Sequence, residues 1–208
     1  MADISDIINS DELSHMIVIS RENIKRAVDC SAQAYSDYPL TDWVFNGHAT
    51  QKQLSIFWRA NLLSLTSEMV VMCDSEQMNL LAAIGFASFG GVNPLKFIMN
   101  GGYRILGYAR RMIKYDKYSL EQRRKVCRGD ELYLYDLAVK PSMQGHGLAS
   151  QFLRPMTDLA DRLGLPIFLE THDESSIAIY ERYDFSRIVL GTIPGSHLTH
   201  FAMMRQPH

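Results

Sequence analysis

An α+β fold is predicted by three features of the chain. Two apolar runs, 69–73 and 80–89, flank a polar turn at 74–79 and read as an antiparallel hairpin. Helical patterns at 23–34 and 53–65 precede the hairpin, and a mostly helical stretch, 93–128, follows it. An alternating strand, 132–139, then leads through a glycine loop into an amphipathic helix, 148–163. With no repeat, low-complexity tract or linker, 1–208 is expected to form one domain.

The elements follow in order. Residues 16–19 form a short first strand. Over 23–34, Ile24, Ala27, Val28, Ser31 and Ala34 recur at helical spacing. Pro39 breaks that pattern, and 40–45 adds a further turn. Leu54, Phe57, Trp58 and Leu62 share a face of the next helix. Gly101-Gly102 divides the 93–128 stretch into two pieces. Pro155 removes an amide from the 148–163 helix and crowds the carbonyl of Gln151, so a kink is expected. Gly164-Leu165-Pro166 ends that helix and opens strand 167–170. A short helix, 175–183, and two strands, 185–190 and 198–204, joined by a Pro194-Gly195 turn, complete the chain.

Composition narrows the function classes. The chain is 47% hydrophobic and 21% charged, ordinary for a globular protein. A net charge of −2 provides no overall basic field, so no nucleic-acid partner is expected. The charge is uneven: 96–128 carries about +8 and the remainder about −10. The basic stretch reads first as a solvated helical face and second as a wall beside an anionic ligand. Cys30, Cys73 and Cys127 have neither metal-ligand nor disulfide-framework spacing. No signal peptide is visible and no apolar run reaches about 18 residues. A cytoplasmic protein with no membrane partner is expected.

The most informative residues are Gln144-Gly145-His146-Gly147-Leu148-Ala149. They lie between a strand and a helix. A helix start presents unpaired N–H groups and the positive dipole end. Glycines without a Cβ let an anion approach that backbone closely. The loop therefore suits a phosphate-bearing group.

Read from Val139 to Ala149, the segment resembles the acyl-CoA-binding motif of the GNAT N-acetyltransferase family: Val-x-Pro, a short turn, then Arg/Gln-Gly-x-Gly-x-Gly/Ala. Leu169-Glu170-Thr171 and the run from Ile177 to Phe185 are similar to that family's second block. The resemblance covers 130–205 closely, with the cofactor-binding core at 130–190 and 93–128 as a helical insert. Pro155, Ala160-Asp161 and Gly164-Leu165-Pro166 are similar to the puromycin-acetyltransferase-like branch. The resemblance implies a mixed, mostly antiparallel sheet flanked by helices and splayed where acetyl-CoA enters. It also implies transfer of acetyl from this co-substrate to a primary amine of a small molecule, by direct attack in a ternary complex and without a metal.

Site residues follow from the resemblance position by position. Tyr180 occupies the general-acid tyrosine position, where a phenol protonates the departing thiolate. Leu137, Ala138 and Val139 supply backbone N–H groups to the acetyl carbonyl and pantetheine, provided that a bulge frees them from the ladder. Gln144, Gly145, His146, Gly147, Leu148 and Ala149 hold the diphosphate. His146 stands where the family often has Arg or Lys. Ser176 replaces an Asn and reaches less far toward pantetheine. Asp184 replaces a Gly, and Asp tolerates positive φ better than most residues.

Strand alternation puts Leu132, Leu134, Asp136 and Ala138 on one face and Tyr133, Tyr135, Leu137 and Val139 on the other. Asp136 and Glu170 are the candidate bases; each is equally a carboxylate satisfied by local donors. His197 and His200 are three apart on a strand and so fall on opposite faces, unsuited to a shared metal. Tyr38, Trp43, Phe45 and Trp58 are candidate pocket walls, though aromatics at helical spacing are more often core. Two other functions fit parts of the pattern: a non-catalytic acyl-CoA sensor, and a Rossmann oxidoreductase, against which Ser150 stands where the third glycine belongs. Oligomeric state is left open, with a homodimer among the arrangements allowed.

Overall fold

The structure is a computed structural model that describes residues 2–86 and 90–208. Seven strands form one sheet in the order β1-β2-β3-β4-β5-β7-β6. They are β1 Ile17–Val18, β2 Met69–Cys73, β3 Leu80–Gly85, β4 Leu132–Val139, β5 Ile167–Thr171, β6 Ser186–Thr192 and β7 Thr199–Arg205. Every pairing is antiparallel except β4 with β5. The last three residues of the predicted 80–89 strand lie outside the described residues.

Helices cover both faces. On one face lie α1 Ile4–Ile8, α7 Leu148–Leu163 and α8 Glu174–Glu181; on the other lie α2 Ile24–Ala34, α3 Pro39–Phe45, α4 Gln51–Leu62, α5 Pro94–Met99 and α6 Ala109–Val126. The first core is built by Phe152, Leu153, Met156 and Leu159 of α7 against Leu132, Leu134, Ile167 and Leu169. Phe152 is fully buried, a burial that stabilises by about 1.5–3 kcal/mol. The second core packs Val28, Leu54, Trp58 and Leu81 together. Tyr133 and Phe168 form a smaller cluster.

Local chemistry explains the ends. Asp3 and Asp6 form a capping box on α1, a helix too short to register as a periodic pattern. Thr50 and Gln53 cap α4 two residues earlier than the apolar pattern starts. Pro94 stands in the first turn of α5, where its missing N–H costs nothing. Gly101 (φ 112) ends α5, and a 3₁₀ segment, Gly102–Tyr108, leads into α6, so the insert divides at the predicted glycines. Helix α7 continues through Pro155 without ending. It closes on Gly164 in the left-handed region, with the Leu165 N–H donating to the Ala160 carbonyl.

The expected alternation along β4 is corrected. Ala83 pairs with Asp136 but Ile84 pairs with Leu134, so Tyr135 is an extra residue in β4. The bulge reverses the phase of everything after it. Leu137 and Val139 join Leu132 and Leu134 on the α7 side, while Ala138 packs in the α2–α4 core. Asp136 is bonded to Ser31 of α2 and to Tyr35, which caps that helix, on the face that carries Tyr133 rather than the face of Leu132.

Candidate active site

Strand β5 pairs with β4 only through Leu132–Leu134 and Ile167–Leu169. Past that point the two strands diverge, and a cleft of about 600 Å³ opens between them. Its lining includes Leu137, Val139, Gln144, Gly145 and Gly147, together with Tyr35, Tyr38, Asp136, Glu170 and Tyr180.

The loop end is built for close approach. Gly145 and Gly147 have φ of +79° and +80°, and a Cβ added at either would meet nothing within 4 Å. Gly147 precedes α7 with no side-chain cap, so first-turn N–H groups face the cleft unmatched by a side chain. Leu148 and Ala149 also line the cleft. An anionic diphosphate fits this concave, open helix end. His146 instead turns its exposed ring back, its Nδ1 3.0 Å from the Gln144 carbonyl. Gln144 donates from Nε2 to the Val139 carbonyl at 3.3 Å. Ala138 is buried in the core, while its neighbours Leu137 and Val139 line the cleft. Ser176 lines it too, but its Oγ donates to the Asp173 carbonyl at 2.8 Å and sits 3.0 Å from Thr171 Oγ1. Asp184 holds φ 63°, the conformation that a glycine would supply.

The chemical end is walled by tyrosines. Tyr35 donates its hydroxyl hydrogen to Asp136 Oδ1, and Ser31 Oγ lies 3.4 Å from Oδ2. Asp136 is 3% exposed. Burial pushes its carboxyl up to about 7, against the opposing pull of the Tyr35 and Ser31 hydroxyls and the Leu137 amide. Tyr135 accepts a hydrogen bond from Asn61 Nδ2 at 2.6 Å. Tyr180 packs edge-on against Phe185, with ring centroids 5.9 Å apart. Its hydroxyl has no hydrogen-bond partner among the described residues, and burial raises its pKa above the ordinary phenol value. It is the uncommitted phenol of the cleft.

Glu170 is occupied differently. Its carboxylate accepts from Ser119 Oγ at 2.8 Å, Tyr133 Oη at 2.9 Å and His200 Nε2 at 2.8 Å, and Arg123 Nε lies 3.5 Å away. Burial alone would raise its pKa, but the His200 bond and the Arg123 charge outweigh it and hold the carboxylate below its ordinary value. His172 and His200 lie 28 residues apart in the chain, and the fold joins them, His172 Nε2 to His200 Nδ1 at 2.8 Å. His197 stays exposed in the turn before β7. Period-two alternation was the available signal: Phe168, Glu170 and His172 share a face of one chain segment, as His200 and Ala202 do of another. Only the placement of β7 beside β5 unites them.

Among the proposed walls, Tyr38 lines the cleft. Phe45 and Trp58 are core residues, and Trp43 packs against that core while donating from Nε1 to the Gly195 carbonyl. Within the basic insert, Arg111 donates to the Trp43 carbonyl and stacks on its ring at 5.4 Å, whereas Arg110 and Lys117 face solvent.

Comparison with known proteins gives a family and a shared fold. A model of the acetyltransferase (GNAT) family matches residues 66–185. The chain is similar to arylalkylamine N-acetyltransferase 2 from Aedes aegypti, at TM-score 0.59 and 14% identity over 93% of this chain and 98% of that one. It is similar to a histone acetyltransferase HPA2 and related acetyltransferase from Corynebacterium glutamicum, at TM-score 0.56 and 17% identity over 93% and 96%. An acetyltransferase from Thermus thermophilus matches at TM-score 0.52 and 10% identity over 92% and 95%. These likenesses establish a shared fold. No helix among the described residues is long and apolar enough to cross a membrane.

Proposed function

Because the chain belongs to the acetyltransferase (GNAT) family, and so is an acetyl-CoA-dependent acyltransferase, we propose that it acetylates a primary amine of a small molecule by direct attack in a ternary complex. One observation carries this reading: where β4 diverges from β5, a single cleft is lined by the glycine loop, the buried Asp136 and the uncommitted Tyr180. Gly145, Gly147 and the first turn of α7 would hold the diphosphate, and backbone around Leu137 and Val139 the pantetheine. Acetyl-CoA supplies an activated acyl group.

The protein's own residues then handle the protons. Asp136 accepts the proton that the amine nitrogen loses as its bond to the acetyl carbon forms. Tyr180 donates its hydroxyl hydrogen to the sulfur as the C–S bond breaks and the electron pair moves to sulfur. Glu170, already held by four partners, acts as an anchor. The hydroxyls of Tyr35 and Tyr135 are engaged, so these two offer ring surface beside a carboxylate, a setting that favours an amine on an apolar body.

The test is a panel of primary amines with acetyl-CoA, read by free-thiol release and by the mass of the acetylated product. Amine-dependent thiol release with acetylated amine supports the proposal. Tight acetyl-CoA binding without transfer to any amine would make the protein a sensor instead.

A further inference from the structure

A continuous file of hydrogen bonds runs from the cleft into the interior on the α6 side of the sheet. Tyr38 Oη lies 3.2 Å from His172 Nδ1, His172 Nε2 lies 2.8 Å from His200 Nδ1, and His200 Nε2 lies 2.8 Å from Glu170 Oε1. The donors can be assigned from one end. An ionised carboxylate only accepts, so His200 Nε2 carries hydrogen. In neutral His200, Nδ1 then accepts from His172 Nε2–H, which leaves His172 Nδ1 to accept from the Tyr38 hydroxyl. The Tyr38 oxygen in turn accepts the His172 backbone N–H at 2.8 Å. Every bond in the file points inward.

We propose that Tyr38, His172 and His200 form a proton relay that takes the first proton from the acceptor's ammonium group and stores it as a His200 imidazolium paired with Glu170. The inference rests on the acetyltransfer reading above and adds a second proton exit to it. As the ammonium N–H bond breaks, its proton forms a bond to Tyr38 Oη. The original Tyr38 hydrogen moves to His172 Nδ1, and the His172 Nε2 hydrogen moves to His200 Nδ1. His200 then holds hydrogen on both nitrogens and pairs with the Glu170 carboxylate. No electrons change centre except within the bonds that form and break. The free amine attacks the acetyl carbon, and Asp136 takes the second nitrogen proton. The reverse shifts later return the stored proton through Tyr38 to cleft water.

The surroundings suit storage at His200 and passage at His172. His200 is fully buried, with Tyr118 of α6 edge-on at 5.5 Å. Tyr115 of α6 stands edge-on to His172 at 5.3 Å. Against burial, the His200 bond, the Arg123 charge and the Ser119 hydroxyl hold Glu170 below its ordinary value, and Tyr133 of β4 also donates to its carboxylate. Burial, joined by His200 when that neighbour is charged, lowers His172 to about 3, so it transmits the proton without holding a charge. Tyr38, raised to about 12 mainly by burial, likewise exchanges one hydrogen for another and does not become a phenolate.

Two measurements test the relay. Long-range ¹H–¹⁵N correlation on the protein alone should find both histidines neutral with hydrogen on Nε2; a His172 that carries hydrogen on Nδ1 at rest would overturn it. That readout needs no acceptor and decides the file whether or not a given amine is turned over. With 2-phenylethylamine as the acceptor probe, His200→Gln should lower kcat by about 10²-fold at unchanged acetyl-CoA affinity. Wild-type kcat should depend on the D₂O fraction along a curve, and that dependence should become linear in the variant; a linear wild-type dependence would also overturn the relay. Wild-type kcat with the same curvature in His200→Gln would refute the relay. Tyr38→Phe, which retains the ring, gives the same test should His200→Gln not fold. A wild-type protein that binds no acetyl-CoA by calorimetry would instead remove the acetyltransfer reading.

Discussion

The Tyr35 hydroxyl donates to the carboxylate of Asp136, tying helix α2 to the bulged strand β4 at the floor of the cleft. This bond opposes the effect of burial on Asp136. Tyr35→Phe should therefore move the acidic limb of the pH–rate profile to higher pH, because a carboxylate stripped of a donor is harder to ionise. Asp136→Asn should lower kcat by about 10²-fold. An unchanged acidic limb in Tyr35→Phe would disconnect Asp136 from the rate.

Asp136 also makes stability depend on pH. Its folded value, about 7, lies above the unfolded value near 3.8. Between the two, the native state binds more protons than the unfolded state, so stability falls as pH rises through that window. Below it the contribution is fully present. Denaturant unfolding across this range should show the decline in the wild type and a flatter profile in Asp136→Asn. Parallel profiles for the two proteins would contradict the raised carboxyl.

Tyr180→Phe removes one hydroxyl that no other described residue uses. Packing against Phe185 should survive. With a saturating acceptor, kcat should fall by roughly 10²-fold, while acetyl-CoA affinity by calorimetry should hold, since the hydroxyl acts as the thiolate forms. Full turnover in the variant would reduce Tyr180 to a packing residue.

Gly147→Val places a branched side chain in the open space before α7, at φ +80°. Acetyl-CoA affinity should drop at least tenfold, about 1.4 kcal/mol. Gly147→Ala, with a smaller intrusion at the same backbone angle, should fall between wild type and Val. Wild-type affinity in a folded Val variant would remove the diphosphate from this loop.

Arg111 bonds the Trp43 carbonyl and covers its ring. Arg111→Ala should lower unfolding free energy by about 1–3 kcal/mol, whereas Arg110→Ala, on the solvated side, should leave it near wild type. Equal losses in thermal unfolding would place both on one footing.

Local chemistry is what the sequence determined by itself. Glycines at 145 and 147 and the Gly164-Leu165 ending act within a few residues, so their turns and caps are legible without knowing what packs against them. The order of elements along the chain and the glycine loop were legible for the same reason, whereas the role expected of Tyr180 came from the family resemblance. What the tertiary structure decided is every relationship across the sheet. One extra residue, Tyr135, reversed the faces of β4 and turned Asp136 toward Tyr35, because side-chain direction has a period of two and any insertion inverts it. The insertion of β7 between β5 and β6 brought His200 to His172 and Glu170. Such contacts depend on which strands lie side by side, a property of the whole packed sheet that no local run of residues encodes.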